Sequence, residues 1–212
     1  YDVAEFGSEE QCQLIIDHYE KTGNCFAAMC LSEPGAGSDN MGMTTTTKKQ
    51  ADGTYILKGQ KTWVTKVLVL LTWSSSLRTK ILLARTRICP CGSSRHDTPG
   101  VSTAALTKLG QQTVPFVDVF FDDVVLTEAN RLGEAGQGWL LLMKNFEFER
   151  CLVVAQGLGL AEAALDDAID YALDRIAFGK PIADNPRVQD LITESKRTIL
   201  YTRMMLYLCL WM

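Results

Sequence analysis

The amino-acid sequence predicts an α+β fold, in which helices precede and follow one compact β domain. In the middle of the chain β-branched runs alternate with turn residues, whereas after Gly138 apolar residues recur at three- and four-residue spacing. Hydrophobic residues make up 47% of the 212 residues and charged residues 22%, which is typical of a globular protein. We expect a helix within 1–27, the β domain over 28–130 and helices over 131–212.

The first predicted element is a short amphipathic helix. Ser8–Gln11 has the capping-box pattern, in which two side chains satisfy backbone N–H groups at the start of a helix. Apolar residues follow at Leu14, Ile15, Ile16 and Tyr19. Glycine commonly ends helices, so we expect this helix to end near Gly23.

The β domain is predicted from short β-branched and aromatic runs that are bounded by turn residues. These runs are Thr44–Thr47, Tyr55–Leu57, Trp63–Thr65, Val67–Leu71, Ile81–Ala84 and Val114–Phe121. The dipeptide Asp52-Gly53 lies between two of them and is a hairpin signal. This pattern predicts a β barrel or sandwich.

Two long helices are predicted at the end of the chain. The first has apolar residues at helical spacing, which are Trp139, Leu142, Met143, Phe146, Val153, Leu160, Ala164, Ala168 and Tyr171. Phe178–Pro181 interrupts this pattern, and a second helix begins after Pro186. That helix stays apolar to Met212, so we expect its apolar face to pack against elements outside this chain. We therefore interpret the chain as a fragment of a larger protein.

Composition and motifs exclude several classes of function. The formal net charge of −4 argues against a nucleic-acid-binding protein, and no apolar run reaches the length of about 18 residues that a membrane span needs. Cys89 and Cys91 form the one close pair among seven cysteines, but their spacing matches no zinc or redox motif. We therefore predict no metal site. Nothing resembles a signal peptide, so we expect an intracellular protein.

Two motifs could carry chemistry. Glu33–Asp39 reads Glu-Pro-Gly-Ala-Gly-Ser-Asp, a turn after a strand ending at Ser32 that could offer backbone N–H groups to an anion. Trp63 and Thr65 lie two residues apart on a predicted strand, so they share a face that could stack a flat ring and hydrogen-bond its edge. An ordinary tight turn and an ordinary half-buried strand are the alternative interpretations.

Together these residues resemble the acyl-CoA dehydrogenase family. Glu33–Asp39 and Gly59–Thr65 match its Glu-Pro-x-Ala-Gly-Ser-Asp and Gly-Gln-Lys-x-Trp-Ile-Thr signatures, with Val64 in the isoleucine position. Phe146–Arg150 and Arg175–Pro181 resemble two further segments of that family, in the same order. The resemblance implies the end of an N-terminal helical domain, a complete middle β domain and the first part of a C-terminal helical bundle.

The resemblance implies that FAD binds between the β domain and the helices. The implied FAD contacts in the β domain are Met29, Leu31, Ser32, Gly37, Ser38, Trp63 and Thr65. Ser38, Glu147 and Arg150 are implied to contact acyl-CoA. Arg175 and Phe178 would reach the FAD of a neighbouring subunit, which implies a homodimer or homotetramer.

The reaction of this family converts an acyl-CoA thioester to the trans-2-enoyl-CoA, or reduces it in reverse. A carboxylate removes the α-proton while hydride passes to flavin N5, and the resemblance places Thr65 near that atom and Trp63 over the flavin ring. Glu149 has the position of the base in a minority branch, whereas in most members the base lies on a later helix, beyond Met212. Both assignments of the base stay open. A third interpretation is that Glu149 is an ordinary solvent-exposed charge on a helix.

The resemblance also implies partners and a place in fatty acid metabolism. Acyl-CoA would be the substrate, electron-transfer flavoprotein the electron acceptor, and the cytoplasm, or the mitochondrial matrix in a eukaryote, the compartment. Asn145–Arg150 and Phe178–Ile182 look most like the crotonobetainyl-CoA reductase-like, short-chain branch. An acyl-CoA oxidase, a flavin monooxygenase and a truncated non-catalytic relative are the alternatives on the same fold.

One span departs from the family pattern. Gly53–His96 contains eight Lys or Arg residues and no acidic residue. A basic rim for the 3′-phosphate of CoA and a stretch outside the native reading frame are two explanations. We favour a divergent loop region over 66–97 and assign no site to it.

Overall fold

The computed structural model describes residues 2–22, 28–65, 72–73, 81–83, 87–88, 94–95, 98–112 and 114–212. The helices are α1 (Asp2–Phe6), α2 (Glu9–Thr22), α3 (Gly138–Asp174) and α4 (Pro186–Trp211), with 3₁₀ turns at Asn40–Gly42, Glu128–Asn130 and Ile182–Asp184. The strands are β1 (Ala28–Cys30), β2 (Thr46–Lys49), β3 (Tyr55–Thr65), β4 (Thr72–Trp73), β5 (Ile81–Leu83), β6 (Arg87–Ile88), β7 (Ser94–Arg95), β8 (Val101–Leu106), β9 (Phe116–Leu126), β10 (Ile176–Ala177) and β11 (Lys180–Pro181).

The chain divides into two compact units, Tyr1–Leu142 and Met143–Met212. The first unit contains an antiparallel sheet with strand order β2-β3-β9-β8 and a smaller sheet with order β1-β5-β4. Helices and antiparallel sheets together confirm the predicted α+β fold. Of the basic span predicted over 66–97, Lys66, Arg78, Lys80 and Arg85 lie outside the described residues, as do Cys89 and Cys91.

The core of the first unit lies against its main sheet. The buried cluster consists of Ala28, Cys30, Tyr55, Leu57, Val64, Val101, Val117, Val119, Phe121, Val124 and Leu126. Burying a valine or leucine side chain contributes about 1.5–3 kcal/mol, so this cluster is the main support of the sheet. Burial also raises the pKa of the Cys30 thiol, which therefore stays protonated and unreactive.

The predicted hairpin and helix cap are both present. The Thr54 N–H donates to Asp52 Oδ1 at 2.9 Å in the turn between β2 and β3. At the start of α2 the Ser8 N–H donates to Gln11 Oε1 at 3.1 Å, and the Gln11 N–H donates to Ser8 Oγ at 3.3 Å. These reciprocal bonds confirm the capping box.

Gln11 also ties α2 to a distant part of the chain. Its Nε2 donates to the carbonyl oxygens of Ala129 at 3.0 Å and Arg131 at 2.9 Å, just after β9. Gln11 is buried, so these carbonyls have a protein partner where water is excluded. One side chain therefore both caps the helix and attaches it to the end of β9.

In the second unit, α3 packs against α4 along a narrow seam. Leu158 and Leu165 of α3 meet Ile199 and Leu206 of α4, at seven-residue spacing on both helices. Many other apolar residues of α3 and α4 are more than half exposed, among them Val153, Leu160, Tyr171, Leu191, Met204, Met205, Tyr207 and Trp211. The predicted apolar periodicity is thus present, but contact between α3 and α4 buries only part of the apolar side chains. Among the described residues, no helix has the length and apolar character that a membrane crossing requires.

Gly59 is required where β3 passes β2. Its φ is +145°, and a Cβ there would lie 2.4 Å from Thr45 Oγ1 and 2.7 Å from Thr45 Cα. Thr45 is fully buried, so it has no space to withdraw. We expect Gly59→Ala to lower the free energy of unfolding by about 3 kcal/mol or more, because backbone strain and overpacking add.

Urea unfolding of Gly59→Ala, followed by circular dichroism, measures this loss. Gly53→Ala is the matched control, because Gly53 has φ +86° but no heavy atom within 4 Å of the added Cβ. The control should lose only about 1–2 kcal/mol from backbone strain. Equal losses in the two variants would contradict the predicted clash with Thr45.

Candidate functional site

The Gly-rich loop, residues 34–43, begins where the chain leaves β1. The Glu33 N–H donates to the Ala36 carbonyl at 2.8 Å, and the Ala36 N–H donates back at 3.1 Å, which closes a tight turn. Gly35 and Gly37 have no heavy atom within 4 Å of where a Cβ would lie. The turn therefore presents the exposed backbone of Gly35 and Gly37 to open space, and Ser38 beside them is exposed as well.

The carboxylate of Glu33 joins the two ends of this loop. Its Oε2 accepts hydrogen bonds from the Thr44 N–H at 2.6 Å and the Thr44 hydroxyl at 2.8 Å. Its Oε1 accepts from the Thr45 N–H at 3.0 Å and from Lys61 Nζ at 2.9 Å. Four donors therefore surround one carboxylate, which the structure buries.

Lys61 brings the charge that balances Glu33. Its side chain is 0% exposed and that of Glu33 is 3% exposed. Lys61 Nζ also donates to the Leu31 carbonyl at 2.9 Å and lies 3.2 Å from Met43 Sδ, as expected for a donor to that sulfur. The ammonium thus has an acceptor just after β1, a second on Glu33 and a third at the far end of the loop.

Sequence analysis did not assign a role to either member of this pair. Glu33 and Lys61 were noted only as members of two separate motifs, and the two residues are 28 positions apart in the chain. The signal that could have revealed the pair is the position of Lys61 between the apolar residues Leu57 and Val64 of a predicted strand. A lysine on the buried face of a strand needs a buried acidic partner.

Hydrogen bonding controls the titration of Glu33. Burial by itself would raise the pKa of this carboxyl, but the donors on Thr44, Lys61 and Thr45 outweigh burial and lower the pKa to about 2. For Lys61, burial lowers the pKa of the ammonium group, and the hydrogen bond and charge of Glu33 oppose that change. The nearby Cys30 thiol stays neutral.

Acid should therefore remove the stabilisation that ionised Glu33 provides. In the unfolded chain this carboxyl titrates near its usual 4.5, so the unfolded state binds the proton first as the pH falls. The stabilisation is complete above that pH and decreases as the pH falls towards about 2. Urea unfolding of wild type and Glu33→Gln at several pH values between 7 and 3 measures it. The difference in unfolding free energy between them should shrink with acid, and a constant difference would contradict the prediction.

A β-bulge sets the direction of Trp63. Lys61 pairs with Val119 and Val64 pairs with Val117, so Thr62 and Trp63 together lie opposite one residue, Asp118. Trp63 has φ +56°, an unusual conformation for a bulky residue. Such strain persists only where surrounding contacts impose it, and it is common at functional sites.

The bulge changes which side chains face the core. Lys61 and Val64 are both buried although they are three residues apart, and strict alternation would place them on opposite faces. Beyond the bulge, Trp63 is 55% exposed and Thr65 is also exposed, on either side of the buried Val64. Trp63 and Thr65 therefore share the outer face, as the sequence led us to expect.

Neighbouring contacts hold this bulge. Thr62 Oγ1 donates to Asp118 Oδ1 at 2.5 Å, and the Thr62 N–H donates to the Ser32 carbonyl at 2.9 Å. The Trp63 ring meets Phe116 edge-on, with 6.3 Å between the ring centroids. The end of β1 and the Trp63 segment are thus adjacent. All the predicted β-domain contacts, Met29, Leu31, Ser32, Gly37, Ser38, Trp63 and Thr65, lie in the first unit.

The predicted base, Glu149, and two of the predicted acyl-CoA contacts, Glu147 and Arg150, lie on α3 in the second unit, whereas Ser38 lies in the first. Glu149 is half-buried, and its Oε2 accepts a hydrogen bond from Asn145 Nδ2 at 3.1 Å. Glu147 and Arg150 are exposed, and the Arg150 guanidinium lies 5.8 Å from the centroid of the Phe146 ring.

Arg175 and Phe178 belong to a small hairpin between α3 and α4. The strands β10 and β11 pair Ala177 with Lys180, which leaves Phe178-Gly179 as a two-residue turn. Both turn residues have positive φ, +54° and +82°, as a type I′ turn requires. Phe178 is fully exposed and Arg175 is exposed, so the hairpin presents both side chains outwards.

The described residues contain no group of three or more His, Cys, Asp or Glu that could hold a metal ion. The β unit supplies an exposed tryptophan and an open glycine-rich loop, and the helical unit supplies a half-buried carboxylate.

Comparisons with known proteins find two domain models of one family along this chain. The acyl-CoA dehydrogenase middle-domain model matches residues 28–124, and the acyl-CoA dehydrogenase C-terminal-domain model matches residues 136–212. The probable acyl-CoA dehydrogenase YdiO of Escherichia coli (strain K12) is 36% identical over 193 residues, which are 90% of this chain and 49% of that relative.

Solved structures show the same similarity. Butyryl-CoA dehydrogenase from Megasphaera elsdenii aligns with a TM-score of 0.81 and 29% identity over 97% of this chain and 54% of that one. An acyl-CoA dehydrogenase complexed with FAD from Bacillus anthracis aligns with a TM-score of 0.82 and 25% identity over 97% of this chain and 35% of that one.

The chain spans about half the length of the curated relatives that it matches. Within that half, the two domain models follow one another in the order that the motifs predict, and together they cover most of the first unit and all of the second. From these matches we conclude that the chain belongs to the acyl-CoA dehydrogenase family.

Proposed function

We propose that this chain forms the flavin-facing part of an FAD-dependent acyl-CoA dehydrogenase. The proposed reaction oxidises an acyl-CoA thioester to the trans-2-enoyl-CoA, or reduces it in reverse. The observation that carries the proposal is the exposed pair Trp63 and Thr65, which a strained bulge presents beside the end of β1. Similarity to butyryl-CoA dehydrogenase and other acyl-CoA dehydrogenases supports the substrate class.

The residues of the β unit fit FAD. The face of an indole ring suits stacking against a flat ring system, and the Thr65 hydroxyl on the same face suits a hydrogen bond to the ring edge. Exposed backbone at Gly37 and the Ser38 hydroxyl suit an anionic group, because glycine permits close approach. FAD, when bound, supplies the hydride acceptor of the reaction.

We propose that Glu149 is the base that removes the α-proton. Its carboxylate is half-buried on α3, and the hydrogen bond from Asn145 orients it. An acyl chain that covers Glu149 would exclude water from the site of proton transfer. Glu147 and Arg150, on the same stretch of α3, would border the acyl-CoA. A base outside this chain is the alternative that the Glu149→Gln variant tests.

We further propose a homo-oligomer with electron-transfer flavoprotein as its electron acceptor. The Phe178-Gly179 turn supports the oligomer, because a fully exposed phenylalanine in the left-handed region costs free energy without a partner. Arg175 and Phe178 would contact the FAD of the neighbouring subunit.

Anaerobic titration with acyl-CoAs of several chain lengths tests the proposed function. We expect the purified protein to be yellow or to bind added FAD, and at least one acyl-CoA to bleach the flavin absorbance. Free CoA, which lacks the α-carbon, is the control and should cause no bleaching. A protein that cannot be reconstituted with FAD, or that no acyl-CoA bleaches, would contradict the proposal. Fast reoxidation by oxygen would indicate the oxidase or monooxygenase alternative instead.

A further inference from the structure

The Gly-rich loop has little apolar burial to hold its shape. Of residues 34–43, only Ala36 and Met43 are buried, and the exposed residues include Gly35, Gly37 and Ser38. Glycines have more backbone freedom than other residues, so ordering this segment costs more conformational entropy than usual. Some other interaction must therefore fix the loop.

The buried pair of Glu33 and Lys61 is that interaction. Glu33 lies immediately before the loop and binds the backbone N–H groups of Thr44 and Thr45, immediately after it. Glu33 thus holds the two ends of the loop together. Lys61 on β3 binds both Glu33 and the Leu31 carbonyl, and so attaches these ends to the sheet. The same lysine reaches the loop end through the Met43 sulfur.

Fold stability alone does not explain why this position holds charged residues. Apolar residues of similar volume often replace a buried ion pair without loss of stability. An apolar pair, however, could not accept hydrogen bonds from the Thr44 and Thr45 backbone N–H groups. The charged pair therefore specifies the loop conformation in a way that apolar packing cannot.

We propose that Glu33 and Lys61 act as positioning residues, which fix the Gly-rich loop and so set the affinity of this chain for FAD. The proposal rests on the proposed function for its ligand, because Gly37 and Ser38 are the loop residues expected to meet FAD and acyl-CoA. The pair itself is buried and would not touch either ligand. Its effect would pass through the backbone of the loop.

Hydrogen exchange tests the positioning role without any ligand. In Glu33→Gln, we expect amide exchange in the peptide covering 34–45 to become about tenfold faster or more, because local opening becomes easier. Peptides from β8 and β9 should exchange as in wild type. Unchanged exchange in the 34–45 peptide would overturn the proposal.

FAD affinity tests the consequence. The dissociation constant for FAD, measured by flavin fluorescence at a temperature where the apo-protein is folded, should rise about tenfold or more in Glu33→Gln, because a less organised loop binds less well. Val124→Ala, a core variant on β9, is the matched control for general destabilisation. It should lower the thermal midpoint yet keep the FAD affinity within about twofold. Equal loss of FAD affinity in both variants would overturn the proposal.

The double variant Glu33→Gln/Lys61→Met separates positioning from folding. It leaves no unpaired buried charge, so we expect the thermal midpoint to recover while fast loop exchange and weak FAD binding remain. If the thermal midpoint, the loop exchange and the FAD affinity all return to wild-type values, the pair serves stability alone. If wild type binds no FAD while its loop exchange still depends on Glu33, the proposed function fails and the positioning of the loop stands.

Discussion

Replacing Lys61 by methionine is expected to lower the free energy of unfolding by about 3–5 kcal/mol, because a carboxylate would stay buried without its partner charge. Methionine has a similar length, so the variant removes the charge without leaving a large cavity. The Glu33 side chain is 3% exposed, and water therefore cannot replace the ammonium. Urea unfolding at neutral pH, followed by circular dichroism, measures the loss.

Lys58→Met provides the matched control on the same strand. The Lys58 ammonium lies 3.9 Å from Asp122 and 3.4 Å from Asp123, but the side chains are 63%, 85% and 63% exposed. Exposed ion pairs of this kind contribute about 1 kcal/mol or less. If Lys61→Met proves no less stable than Lys58→Met, the buried pair does not have the expected energetic role.

Replacing Glu149 by glutamine is expected to lower turnover about 100-fold or more, because positioned general bases contribute at least that factor. Glutamine keeps the shape of the side chain and can still bond to Asn145, but it cannot accept a proton. Flavin absorbance and the thermal midpoint should stay as in wild type. Steady-state turnover with the acyl-CoA that bleaches the flavin is the measurement.

Asp167→Asn, an exposed acid-to-amide change on the same helix, is the control for Glu149→Gln. It should leave turnover within about twofold of wild type, since exposed substitutions rarely affect folding or chemistry. Turnover that survives in Glu149→Gln would assign the base to a position outside this chain. The family assignment would be unaffected by that result.

Local sequence was sufficient for elements whose signals lie within a few residues. The Ser8–Gln11 cap, the Asp52-Gly53 turn and the helix that begins at Gly138 were all predicted, and the structure confirms each of them. Capping, turn formation and apolar periodicity depend on neighbours in the chain, which is why a sequence displays them.

The buried pair and the bulge could not be predicted in this way. Glu33 and Lys61 become partners only because β1 ends against β3, and Trp63 turns outwards only because β9 offers one residue opposite two. Register between strands depends on contacts between distant segments, and a shift of one residue reverses which side chains face the core.

The sequence by itself determined the α+β order of this protein and the signature motifs of its family. Only the tertiary structure decided how the Gly-rich loop is held and where Trp63 points. The physical reason is that a buried charge must find its counter-charge in space, and the nearest one in space lies 28 residues away along the chain.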